Sequence, residues 1–162
     1  MGKMIKIGIA DLAVSKAPDA ITTLGLGSCI GVALYDKTTK TGGLVHVMLP
    51  DSTALRNAGV NEAKFADTGV DALVKQLLAM GVQKRNLTAK IAGGARMFSF
   101  SNKSKVGNVG ERNIEAVKQR LKMHNIRIIA EDVGLDYGRT VELYLDSGEY
   151  HIKSVGKETK II

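Results

Sequence analysis

The chain has no tryptophan, one cysteine, two prolines and three histidines in 162 residues. Each scarcity removes a class of protein. A single cysteine, Cys29, excludes an internal disulfide and a thiolate zinc cluster, which takes several cysteines or a Cys/His set. His46, His124 and His151 lack metal-ligand spacing, so neither a metal nor another cofactor is expected. Aromatic residues are only 4%, which leaves few surfaces for stacking single-stranded bases. No helix-turn-helix or aromatic surface motif is present, and a nucleic-acid partner is not expected. No run approaches the ~20 apolar residues of a membrane span, and no apolar secretory segment follows the first residues. The expected location is the cytoplasm, without membrane insertion.

What remains is the balance of a globular protein, 44% hydrophobic and 24% charged. The length suits one domain over residues 1–162, large enough to bury its own core without a staple. The net charge of +7 is unevenly placed. Residues 84–127 hold eleven Lys and Arg against Glu111 and Glu115, a local +9 that leaves −2 elsewhere. Such a segment favours an acidic partner through steering and complementarity, although it is also what a solvated basic face looks like.

Hydrophobic periodicity predicts strands at Met4–Ala10, Ala20–Leu24, Ile30–Tyr35, Gly42–Leu49, Leu87–Ala92 and Ile126–Asp132. A last hairpin is expected from Arg139–Leu145 and Glu149–Val155 around Asp146-Ser147-Gly148. Helical spacing marks 61–80, with Gly81 as its stop, and a second helix carrying Ile114, Val117 and Leu121. Residues 51–60 read as a surface loop, and 99–109, rich in Ser, Asn, Lys and Gly, as a mobile one. Seven or eight strands with two main helices suggest an α/β fold of the α+β type. Its expected form is a mixed, largely antiparallel sheet sandwich with helices packed on it. Gly25-Leu26-Gly27 lacks the third glycine of a dinucleotide fingerprint and precedes a strand, so a nucleotide-binding fold does not fit.

The chemistry-bearing residues lie in the early hairpin. If Asp36 and Thr41 flank its turn, paired residue numbers sum to about 77, which sets His46 opposite Gly31. Cys29, two residues earlier, then shares the face of His46, as a diagonal neighbour at roughly 7–8 Å between Cα atoms. A one-residue slip would part them. A thiol of pKa about 8.5 needs a neighbouring base to be an effective nucleophile at neutral pH. The Gly25/Gly27 loop can aim backbone N–H groups, those of Ser28 and Cys29, at a developing oxyanion. Thr22 or Thr23 could orient the imidazole. A lone core cysteine and a lone strand histidine are also common in inert proteins, and spacing leaves both readings open.

Leu24-Gly25-Leu26-Gly27-Ser28-Cys29 followed by His46-Val47-Met48-Leu49-Pro50 resembles the CheD family of chemoreceptor glutamine deamidases. The likeness runs on through Lys90–Ala95, Met97-Phe98, Gly107, Gly110, Arg112-Asn113, Ala130-Glu131-Asp132 and Gly138-Arg139. It implies an α/β sandwich whose active site resembles that of toxins deamidating small GTPases. The implied triad is Cys29, His46 and Thr23, and the loop read above as the oxyanion site supplies Gly27 and Ser28. The implied activity converts glutamines of methyl-accepting chemotaxis receptors to glutamate, and the implied further partner is a CheC-like phosphatase of the response regulator. An interaction protein whose main role is to activate that phosphatase is the alternative. One departure stands out: family members often carry Gly-Gly where this chain has Gly134-Leu135.

Overall fold

A computed structural model describes residues 2–52, 61–97 and 109–162. Along the chain these form β1 (Met4–Ile7), β2 (Leu12–Lys16), β3 (Ala20–Leu26), β4 (Ile30–Asp36) and β5 (Thr41–Val47). Helix α1 (Ala66–Ala79), β6 (Thr88–Gly93) and helix α2 (Val109–Met123) follow. The chain then adds β7 (Arg127–Val133), β8 (Arg139–Tyr144), β9 (Tyr150–Lys153) and β10 (Lys160–Ile161).

Two five-stranded sheets result, ordered β1-β3-β8-β9-β10 and β2-β5-β4-β6-β7. Only β1/β3 and β6/β7 pair in parallel; the other neighbours are antiparallel. Strand alternation divides the core in two. Val32, Leu34, Val45 and Val47 face the helices and pack with Val70, Leu73, Leu77, Val117 and Leu121. Ala33 and Leu44 face the other sheet and pack with Ile21, Leu26, Val141, Leu143 and Tyr150. The second sheet is thus covered on both faces, by helices on one side and by the first sheet on the other. This accounts for the burial of every residue of β5.

The sandwich and its helices agree with the sequence reading, and the hairpin register does so in detail: Asp36 pairs with Thr41 and Gly31 with His46. Gly81 (φ +95°) ends α1 in the conformation that glycine tolerates best, with Gly81 N–H on Leu78 O and Val82 N–H on Leu77 O.

Other boundaries move. The expected helix 61–80 begins late, because Asn61 caps a short 3-10 turn at Glu62–Lys64 and Phe65 is extended (φ −109°, ψ 146°). Phe65 bridges to Leu49, and Ala66 N–H donates to Leu49 O at 2.8 Å, so the chain is tied to the end of β5 before it coils. Strands β2 and β10 were not expected. The first is a short edge strand with little apolar contrast, and the second is only two residues long. In α2 the buried face runs through Gly110, Asn113, Val117 and Leu121, with Ile114 only partly buried beside it. The predicted 99–109 loop lies outside the described residues except for Val109, which opens α2. Residues 53–60 and Phe98 also lie outside.

Candidate active site

The site sits where the two sheets face each other, at the end of β4 that Cys29 enters. His46 is fully buried on β5, on the same face as Leu44 and toward the first sheet. Across the gap, β3 presents Thr23, also fully buried, with its Oγ1 2.8 Å from His46 Nδ1. The neighbouring Thr22 turns away and donates to Val141 O at 2.7 Å. Of the two threonines that the sequence left open, Thr23 is therefore the one at the imidazole.

The proton positions follow from counting donors. Thr23 Oγ1 has one hydrogen, and it goes to Ile7 O at 3.0 Å, a carbonyl that can only accept. The Thr23 oxygen must then accept from His46, so Nδ1 carries the ring hydrogen in neutral His46. That leaves Nε2 with a lone pair, and Nε2 is buried with no hydrogen-bond partner among the described residues. Burial also lowers the His46 pKa from 6.5 to about 4, because a desolvated imidazolium is unfavourable. At neutral pH the ring is an uncharged base with one nitrogen held and the other available.

Cys29 lies in the bend leading into β4, partly buried and packed against the inter-sheet core, the face that His46 also uses. Burial pushes its thiol pKa up, partly offset by a bond from its own backbone N–H. At neutral pH the Cys29 thiol and the His46 imidazole are accordingly both uncharged. The loop around Cys29 is fixed by its carbonyls. Gly27 O accepts from Ala95 N–H, and Cys29 O from Gly94 N–H, each at 2.8 Å. Ser28 O accepts from Asn113 Nδ2 at 2.8 Å. A trans peptide holds C=O and N–H on opposite sides. Holding the Gly27 and Ser28 carbonyls therefore aims the N–H groups of Ser28 and Cys29 the other way. Gly93 allows this close approach: its φ is +113°, and a Cβ there would stand 2.1 Å from Cys29 O.

Other motif residues brace this end of the sandwich. Arg139, 2% exposed, donates from Nε to Asp132 at 2.9 Å and from Nη1 to Gly134 O at 3.0 Å, and its guanidinium lies over Tyr137. Leu135 has φ +60°, a conformation that glycine takes without strain. The departure from Gly-Gly thus falls where the backbone would favour glycine.

The basic segment is less free than its composition suggests. Lys90 points inward and donates to Gly148 O and Ile162 O at 2.8 Å. Arg120 is paired with Asp71, Lys118 with Glu131 at 3.1 Å, and Arg96 lies 3.9 Å from Glu111. Among the described residues no group of three or more His, Cys, Asp or Glu is placed to hold a metal. No described helix is long and apolar enough to cross a membrane.

Sequence reasoning gave Asn113 no role, although a polar residue on the buried stripe 110/113/117/121 was the available signal. It could not anticipate Ile7 O as the acceptor that fixes the Thr23 hydroxyl, because β1 and β3 pair only in the folded sheet.

The profile of the CheD family, described as CheD chemotactic sensory transduction, matches residues 48–154. A protein of Lachnoclostridium phytofermentans named "Probable chemoreceptor glutamine deamidase CheD" is 57% identical over the full length of both chains. Likewise named proteins are 56% identical in Clostridium botulinum strain Eklund 17B, over 94% of this chain and 93% of that one, and 47% identical in Syntrophomonas wolfei, over the whole of both. The two matches that cover both chains in full span the Cys29 and His46 region that precedes the profile match. A two-sheet sandwich with this motif order, aligned end to end with such relatives, belongs to the CheD family.

Proposed function

We propose that this chain is a chemoreceptor glutamine deamidase, which hydrolyses glutamine side-chain amides of methyl-accepting chemotaxis receptors to glutamate and ammonia. The observation that carries this reading is the Thr23–His46 contact on the inter-sheet face against which Cys29 also packs, in a chain whose full-length relatives bear that name. In the proposed reaction His46 Nε2 takes the Cys29 proton as sulfur attacks the carboxamide carbon. The carbonyl π electrons move to oxygen, which the N–H groups of Ser28 and Cys29 stabilise. Collapse breaks the C–N bond, and the proton on Nε2 passes to the departing nitrogen, giving ammonia and a thioester. Water, deprotonated by the same Nε2, adds to the thioester, and the thiolate leaves and is reprotonated. Thr23 keeps Nδ1–H fixed throughout, so the ring enters each step in one tautomer.

The second partner implied by the sequence, a CheC-like phosphatase, belongs to this reading as a binding function that does not require the thiol. The test incubates the protein with receptor cytoplasmic fragments and follows single glutamines by mass spectrometry. Conversion of particular glutamines to glutamate is expected. Receptors left unchanged, alongside a stimulated phosphatase, would favour the binding function as the main role.

A further inference from the structure

Asn113 occupies a position on α2 where a helix facing the core ordinarily carries an apolar side chain, and it is fully buried. Its Nδ2 donates to Ser28 O at 2.8 Å and to Met48 O at 2.9 Å. Both partners are carbonyl oxygens, which only accept, so the amide has one workable orientation. The two contacts join separate pieces of the site. Ser28 O belongs to the peptide that supplies the Cys29 N–H, and Met48 lies two residues beyond His46, just past the end of β5. The first turn of α2 is close enough for this because of Gly110: a Cβ there would stand 2.5 Å from Gly94 O. Gly94 in turn donates its N–H to Cys29 O.

We infer that Asn113 is a positioning residue, whose side-chain amide sets the Cys29 thiol and its backbone N–H in register with His46. It touches neither substrate nor reacting atoms. Its activity consequence rests on the proposed deamidation, whereas its effect on Cys29 does not. Without the two bonds, the Ser28–Cys29 peptide can rotate, and the N–H that stabilises both the thiolate and the oxyanion loses its aim. Misplacement of about 1 Å in a reacting group costs on the order of 10²-fold in rate. Substrate affinity, set elsewhere, should change little.

The test compares wild type with Asn113→Leu and Asn113→Asp, which are similar in size to asparagine but lack its Nδ2 donor. Three readouts are taken: thermal melting, the pH midpoint for alkylation of Cys29 by iodoacetamide, and kcat and KM for receptor-fragment deamidation. The expected result is a folded variant with the alkylation midpoint shifted upward, kcat lowered about 10²-fold and KM within about threefold of wild type. An unmoved midpoint in a folded variant overturns the inference, whatever happens to kcat. Failure of both variants to fold also counts against it, because the residue would then serve the fold alone. If wild type itself leaves receptor glutamines intact, the functional proposal fails, while the alkylation comparison still decides the role of Asn113.

Discussion

Thr23 Oγ1 and His46 Nδ1 lie 2.8 Å apart although the two residues stand on strands of different sheets. The imidazole is therefore oriented only when the sandwich is closed, and the site depends on packing of the layer between Leu26, Leu44 and Val141.

Thr23→Val removes the acceptor for Nδ1–H and the donor to Ile7 O while keeping the side-chain shape. Two buried polar groups are left unpaired, each costing about 1–3 kcal/mol. Chemical denaturation should show a combined loss of stability of about 2–6 kcal/mol. Deamidation kcat should fall about 10- to 100-fold as the ring loses its fixed tautomer. Thr23→Ser, which retains the hydroxyl, should stay near wild type in both measurements.

The burial of His46 also predicts a pH dependence. Its folded pKa is lowered from 6.5 to about 4, so between those values the unfolded chain takes up a proton that the folded chain refuses. Its contribution is fully present above about pH 6.5 and is lost progressively as pH falls toward 4. The loss amounts to about 3 kcal/mol. Denaturation midpoints at pH 7 and pH 4.5 check this, and His46→Gln should flatten the difference. If neutral His46 is the base, the acid limb of kcat/KM should lie near pH 4, well below the ordinary histidine range.

Gly93→Ala should be more harmful than its size suggests. The φ of +113° is unsuited to alanine, and the added carbon would meet Cys29 O at 2.1 Å. Stability should fall by more than about 2 kcal/mol. In whatever folded fraction remains, alkylation of Cys29 should be altered because its loop has been pushed. Wild-type melting and alkylation would contradict the close approach.

Much of this site was legible from residue order alone. The hairpin register followed from Asp36 and Thr41, and with it the pairing of His46 with Gly31. Alternation with period two predicts the same face for Cys29, which lies in the bend before β4 and packs against the inter-sheet core. What was not legible required contacts between distant segments. Nothing local separates Thr22 from Thr23; the partners that do so, Val141 O and Ile7 O, come from β8 and β1. Phe65 reads as part of a helical stripe, yet its bridge to Leu49 holds it extended. Composition likewise overstated the basic surface, because Lys90 is spent on two carbonyls inside the fold.

The remaining exposed cations still predict electrostatic steering toward an acidic receptor surface. The apparent KM for receptor fragments should rise as salt increases, with kcat nearly constant. Because Lys90, Lys118 and Arg120 are engaged within the chain, charge reversal at Arg112 or Lys122 should reproduce part of that rise. A KM independent of ionic strength would remove the steering argument.

The most direct measurement compares ammonia release from receptor fragments by wild type and by Cys29→Ala, with circular dichroism confirming that both are folded. Wild type should release ammonia in step with glutamate formation, and Cys29→Ala should show a loss of at least about 10³-fold with its melting point little changed. A folded Cys29→Ala that deamidates at the wild-type rate would contradict the account.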